Sequence, residues 1–190
     1  KQDFYEEALH NYFALLDYKV SRGYDFDAKH APAEERRVED TFQVTSLSLS
    51  NLGGPEVIGE YFEKNGHRAY EDRVYRYFGE FYLKKLRYQD AAKVYGAFVE
   101  LYPFHAVAPH FSMRVVEIYE LGGFPKLVLD SKKTFASHYG LQGEYWRHFD
   151  AAKSPEVLGF LKANLKDLAN HYHAQYQDKD QEKEKPANFA

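Results

Sequence analysis

The chain contains no cysteine, which excludes disulfides, thiolate zinc sites and cysteine nucleophiles. It also lacks any apolar run near the ~18 residues of a membrane-spanning helix. No charge of one sign dominates: 25 Lys and Arg stand against 29 Asp and Glu, a formal net charge of −4. Nucleic-acid partners call for a clustered basic surplus, so neither DNA nor RNA is expected as a partner. Glycine and proline are sparse, 12 and 7 of the 190 residues, and they fall between periodic stretches rather than inside them. No stretch alternates polar and apolar residues between turn signals, which argues against strands. G-x-S-x-G, the Walker loop, G-x-G-x-x-G and H-E-x-x-H are all missing, and adjacent acids such as Glu6–Glu7 and Glu34–Glu35 point apart on a helix. The chain opens at Lys1 without Met and without a charged-then-apolar leader, which reads as a fragment of something longer.

What the chain does have is apolar bulk: 44% hydrophobic residues and 17% aromatic ones. These recur at helical spacing. The pattern predicts helices over about 3–21, 34–52, 55–65, 69–86, 88–101, 106–121, 124–138 and 155–176, with an ambiguous segment near 143–150. Gly53-Gly54, Asn65-Gly66, Gly122-Gly123 and Tyr139-Gly140 supply the stops. Pro55 and Pro125 suit first turns, and Ser154-Pro155 offers an N-cap serine with proline behind it. The tail QDKDQEKEK reads as a solvated loop or helix end. The fold class expected is all-α, with antiparallel helix pairs joined by short turns.

One stretch carries more than periodicity. In EDRVYRYFGEFYLKKLRYQDAAKVYGAFVELYP, residues 71–103, Tyr75, Phe78, Gly79 and Tyr82 share one helix face; Ala91, Tyr95 and Phe98 share the next; Pro103 closes. This resembles a tetratricopeptide repeat, whose pattern runs bulky aromatic, Leu-Gly, Tyr, Ala, aromatic, Pro. Tyr75 and Phe78 stand for the usual Trp and Leu. In such a pair the small residues, here Gly79 and Ala91, let two helices approach closely, and each pair needs a neighbour to cover its apolar face. Tyr5, Ala8, Tyr12 and Leu15 echo the second-helix spacing, and Leu165, Leu168, Ala169 and Tyr172 echo the first.

The resemblance therefore implies a right-handed superhelical stack over 1–190. It would comprise a lone second-of-pair helix at 4–21, a degenerate pair at 34–66, the good repeat at 71–103, a degenerate repeat at 106–139 and an incomplete one at 155–190. Within the class, AFVELYPFHAVAPHFSMRVVEIYELGGFPKLVLDSKKTFASHYG is similar to bacterial extracytoplasmic members of the outer-membrane protein assembly lipoprotein kind. That likeness implies a periplasmic or cell-envelope location in a Gram-negative bacterium.

The family builds its concave groove from first-of-pair helices. Carried over, this nominates Arg73, Arg76, Tyr77, Glu80 and Lys84, then Ser112, Val116 and Tyr119, then Lys166, Asn170 and His173. Arg73, Arg76 and Lys84 form a basic strip suited to carboxylates, unless salt bridges to Glu71 or Glu80 absorb it. The function implied is a non-enzymatic scaffold that binds a protein or peptide partner, with no cofactor and no metal. The histidines supply no chelating pair: His171 and His173 are two apart and face different sides of a helix. The alternative is a carbohydrate-binding or carbohydrate-active helical domain, which would need acids such as Glu80 and Glu117 to converge across a cleft.

Overall fold

The computed structural model describes residues 2–177. Among them are eight α-helices: α1 (Gln2–Ser21), α2 (Pro32–Leu52), α3 (Glu56–Asn65), α4 (Glu71–Lys84), α5 (Tyr88–Leu101), α6 (Ala108–Gly122), α7 (Pro125–Tyr139) and α8 (Pro155–Gln177). A short 3₁₀ turn, Glu144–Arg147, occupies the segment near 143–150 that sequence left ambiguous, and a second, Ala151–Lys153, follows it. No strand occurs among the described residues, so the all-α class holds. The polar tail beyond Gln177 lies outside the described residues.

The helix boundaries follow local chemistry. Pro32, Pro125 and Pro155 each open a helix at a position whose missing N–H has no intrahelical partner to lose. Gly123 ends α6 in the left-handed region at φ 71, and its N–H bonds the Glu120 carbonyl at 3.1 Å while the Phe124 N–H bonds that of Tyr119 at 3.0 Å. The α4–α5 turn places a non-glycine residue, Leu86, at φ 58. Ser154 turns its hydroxyl back to donate to the Asp150 carbonyl at 3.1 Å, and Asp150 itself caps the 3₁₀ turn by accepting from the Ala152 N–H at 2.9 Å.

The contacts divide the chain into two compact units, one running to Tyr102 and the other from Pro103 onward. In the first, α2 packs on both α1 and α4, and α4 packs on α5. The last two are antiparallel: Tyr75 meets Phe98 with ring centroids 5.3 Å apart, and one turn further along α4 Gly79 faces Tyr95, one turn earlier on α5. Tyr75, Phe78, Gly79, Tyr82, Ala91, Tyr95 and Phe98 are all buried. At Gly79 the missing side chain makes room for a ring. The Tyr95 ring lies over Gly79, and its hydroxyl donates to the Glu80 carboxylate at 2.8 Å.

Two expected registers fall elsewhere. On α1 the fully buried residues are Leu9, Phe13 and Leu16, whereas of the echoed positions Tyr5, Ala8 and Tyr12 are half-buried and Leu15 is exposed. On α8 the buried face is Val157, Leu161, Asn164 and Leu168, and Leu165 and Ala169 are exposed. Both helices carry apolar residues on more than one face, so several i, i+3, i+4 series exist and only tertiary packing selects among them.

Helix α2 is unusual for its hydroxyls. Thr41, Thr45, Ser46 and Ser48 are buried, and each donates to the carbonyl four residues back at 2.7, 2.8, 2.8 and 3.1 Å. The hydrogen bond removes the cost of burying them, and their small size suits a helix packed between two others.

The loop between α3 and α4 is tied to α1 by charge. Arg68 Nε donates to both carboxylate oxygens of Asp17 at 3.0 and 3.1 Å, and the Tyr70 hydroxyl donates to Asp17 at 2.6 Å. In the second unit α7 packs on both α6 and α8. Its core gathers Phe135, Tyr139, Tyr145, Val157 and Leu161, and the Trp146 indole N–H closes it by donating to the Tyr139 carbonyl at 2.9 Å.

Candidate functional site

The groove residues nominated on α4 come together. Arg73, Arg76, Tyr77, Glu80 and Lys84 line one concavity of about 540 Å³ in the first unit. They share a face because they lie three to four residues apart along one helix. The opposite wall is α2, through Gln43, Val44 and Leu47, and Phe81 adds apolar floor from α4. Sequence missed these four. Val44 and Leu47 are apolar positions that the buried α2 face of Phe42, Thr45 and Leu49 does not use, which was the available signal.

Three charged members of the groove, Arg73, Arg76 and Glu80, are held. Arg73 donates to Asp27 at 2.5 Å and sits 5.4 Å from the Phe26 ring centre. Its partner thus comes from the loop before α2, not from Glu71 or Glu80. Arg76 stands 4.0 Å from Asp72. Glu80 accepts the Tyr95 hydroxyl, which draws that carboxylate toward α5. Tyr77 stacks on Phe42 at 4.7 Å and 9°; burial, reinforced by the nearby Glu39, raises its phenol above the ordinary range. Lys84 is exposed at the last turn of α4, and next to it Lys85 sets its ammonium 3.9 Å from the Phe81 ring centre.

The other nominated residues belong to the second unit. Ser112 and Val116 are buried there and present no surface to a partner. Tyr119 lines a separate concavity of about 440 Å³ with Phe124, Lys132 and His171. The Lys132 ammonium lies between Glu120 at 2.9 Å and Asp167 at 2.7 Å. Lys166, Asn170 and His173 are exposed on α8.

A third polar cluster escaped the sequence entirely. Glu71, buried at the start of α4, accepts from the Arg68 N–H at 2.6 Å and from the Tyr102 hydroxyl, with His67 Nδ1 3.2 Å away. Burial first, and the Glu71 carboxylate second, push the Tyr102 phenol well above its ordinary range. The cluster fastens the end of α5 to the start of α4.

Among the described residues, no group of three or more His, Asp or Glu is placed to hold a metal ion, and no helix is long and apolar enough to cross a membrane. Compared with protein-family models, with curated proteins and with solved structures, the chain finds no match.

Proposed function

We propose that this chain is a non-enzymatic interaction module that holds a peptide or protein segment in the α2–α4 groove. The observation that carries this is the convergence of five residues, Arg73, Arg76, Tyr77, Glu80 and Lys84, with apolar Val44, Leu47 and Phe81 on one open concavity. Apolar walls supply affinity on contact, and a few fixed polar groups supply orientation. A groove between packed helices is rigid before its ligand arrives, which lowers the ordering cost of association. The tetratricopeptide-like arrangement, with helix pairs in a right-handed superhelix, belongs to the same proposal. The packed α4–α5 pair and its filled signature positions support it. A cell-envelope location in a Gram-negative bacterium rests on the sequence resemblance.

The test is a selection of a displayed random twelve-residue peptide library on the whole chain, repeated on Leu47→Asp. The proposal expects clones that bind the parent chain and lose binding when a carboxylate stands at position 47. Clones indifferent to that change, or no clones at all, would overturn it.

A further inference from the structure

We infer that the occupant of the α2–α4 groove is an acidic segment, one that brings carboxylates together with apolar side chains. This inference rests on the groove being the binding surface and adds the chemistry of what it takes.

The two walls differ in kind. The α2 wall carries no charge, only Gln43, Val44 and Leu47, and two of these are apolar side chains left open to solvent. The α4 wall carries three cations, Arg73, Arg76 and Lys84, against one carboxylate, Glu80. Their internal partners make the balance uneven along the groove. Near Arg73 the charge is met by Asp27, and Glu80 is turned toward the Tyr95 hydroxyl on α5. Toward the end of α4 stand Lys84 and its neighbour Lys85, the latter over the ring of Phe81. From Arg76 to Lys84 the rise is about 12 Å along the helix, roughly two turns.

A ligand complementary to this surface places apolar side chains against Val44, Leu47 and Phe81. It places a carboxylate at the Lys84 end. Arg73 and Arg76 already face Asp27 and Asp72, so a basic segment would meet like charge chiefly at the Lys84 end, where the groove discriminates by sign as well as by shape.

The probe is a pair of fluorescein-labelled pools of twelve-residue peptides with identical apolar content. One pool carries Asp and Glu at its polar positions; the other carries Asn and Gln. Binding to the whole chain is read by anisotropy at low and at high salt. The acidic pool is expected to bind about fivefold tighter at low salt, the size of a solvent-exposed charge pairing. Salt should erase that difference, and Lys84→Glu should abolish or reverse it. Leu47→Asp should weaken both pools. If the pools bind equally and Leu47→Asp weakens both, the groove stands and the acidic preference is overturned. If neither pool responds to Leu47→Asp, the groove reading falls and this inference with it.

Discussion

A methyl group on the Cα of Gly79 would come within 2.4 Å of Cε2 of Tyr95, and within 2.9 Å of two further atoms of that ring. The ring cannot swing clear at no cost, because its hydroxyl is bonded to Glu80 and lies 3.2 Å from the Arg76 carbonyl. Gly79→Ala is therefore expected to destabilise the chain by about 1–3 kcal/mol through overpacking, although alanine is the better helix former by about 1 kcal/mol. Gly96, in the next helix, has open space where its Cβ would stand. Gly96→Ala should gain up to about 1 kcal/mol. Urea unfolding followed by circular dichroism compares the two, and equal effects would contradict the packing described.

Among the described residues, the buried hydroxyls of Tyr75 and Tyr139 have no hydrogen-bond partner, and these tyrosines should behave oppositely to Tyr95. Removing an unpaired buried hydroxyl leaves nothing unsatisfied behind. Tyr75→Phe and Tyr139→Phe should be neutral or stabilising by up to about 1 kcal/mol. Tyr95→Phe should lose about 1 kcal/mol by the same measurement.

Tyr102→Phe removes a donor from the buried Glu71 carboxylate, and the expected loss is about 1–3 kcal/mol. Because the two groups share one cluster, a double-mutant cycle with Glu71→Ala should show non-additivity of about 0.5–3 kcal/mol. Strict additivity would mean that the contact contributes nothing.

Alkaline pH should unfold the protein through its phenols. Burial raises Tyr70, Tyr75, Tyr102 and Tyr139 well above the ordinary range, with hydrogen bonding to Asp17 adding to it at Tyr70 and to Glu71 at Tyr102. The folded chain thus holds these protons more tightly than the unfolded chain does. The resulting stability is fully present below the unfolded phenol value of about 10 and is lost as pH rises past it toward the raised folded values. Urea midpoints measured across that range should fall steadily, and Tyr70→Phe should flatten the decline. An unchanged slope would argue against the burial of that phenol.

How far residues alone carry depends on the kind of feature. The helix spans were legible because proline and glycine mark their ends; Gly123 and Pro125 fix the α6–α7 junction almost by themselves. The α4 face of the groove was legible too, since Arg73, Arg76, Tyr77, Glu80 and Lys84 lie on one helix, where spacing and direction are the same thing. Its α2 wall was not, because Val44 and Leu47 reach the groove only through the packing of α2 on α4. The same limit hid the buried registers of α1 and α8, each of which has more than one apolar face. It also hid Glu71, which looks like an ordinary first-turn acid until Tyr102, about thirty residues later, closes over it.

The back-bonded hydroxyls of α2 have an effect on how its neighbours sit. Thr41, Thr45, Ser46 and Ser48 each direct their hydrogen to the turn behind them, so none of those hydrogens asks for an acceptor on α1 or α4. Toward its flanks α2 then acts as a fine-toothed rod whose fit is a matter of contour. The spacing of α4 against it, and with it the width of the groove, is then set by how closely the two surfaces fit rather than by directional bonds.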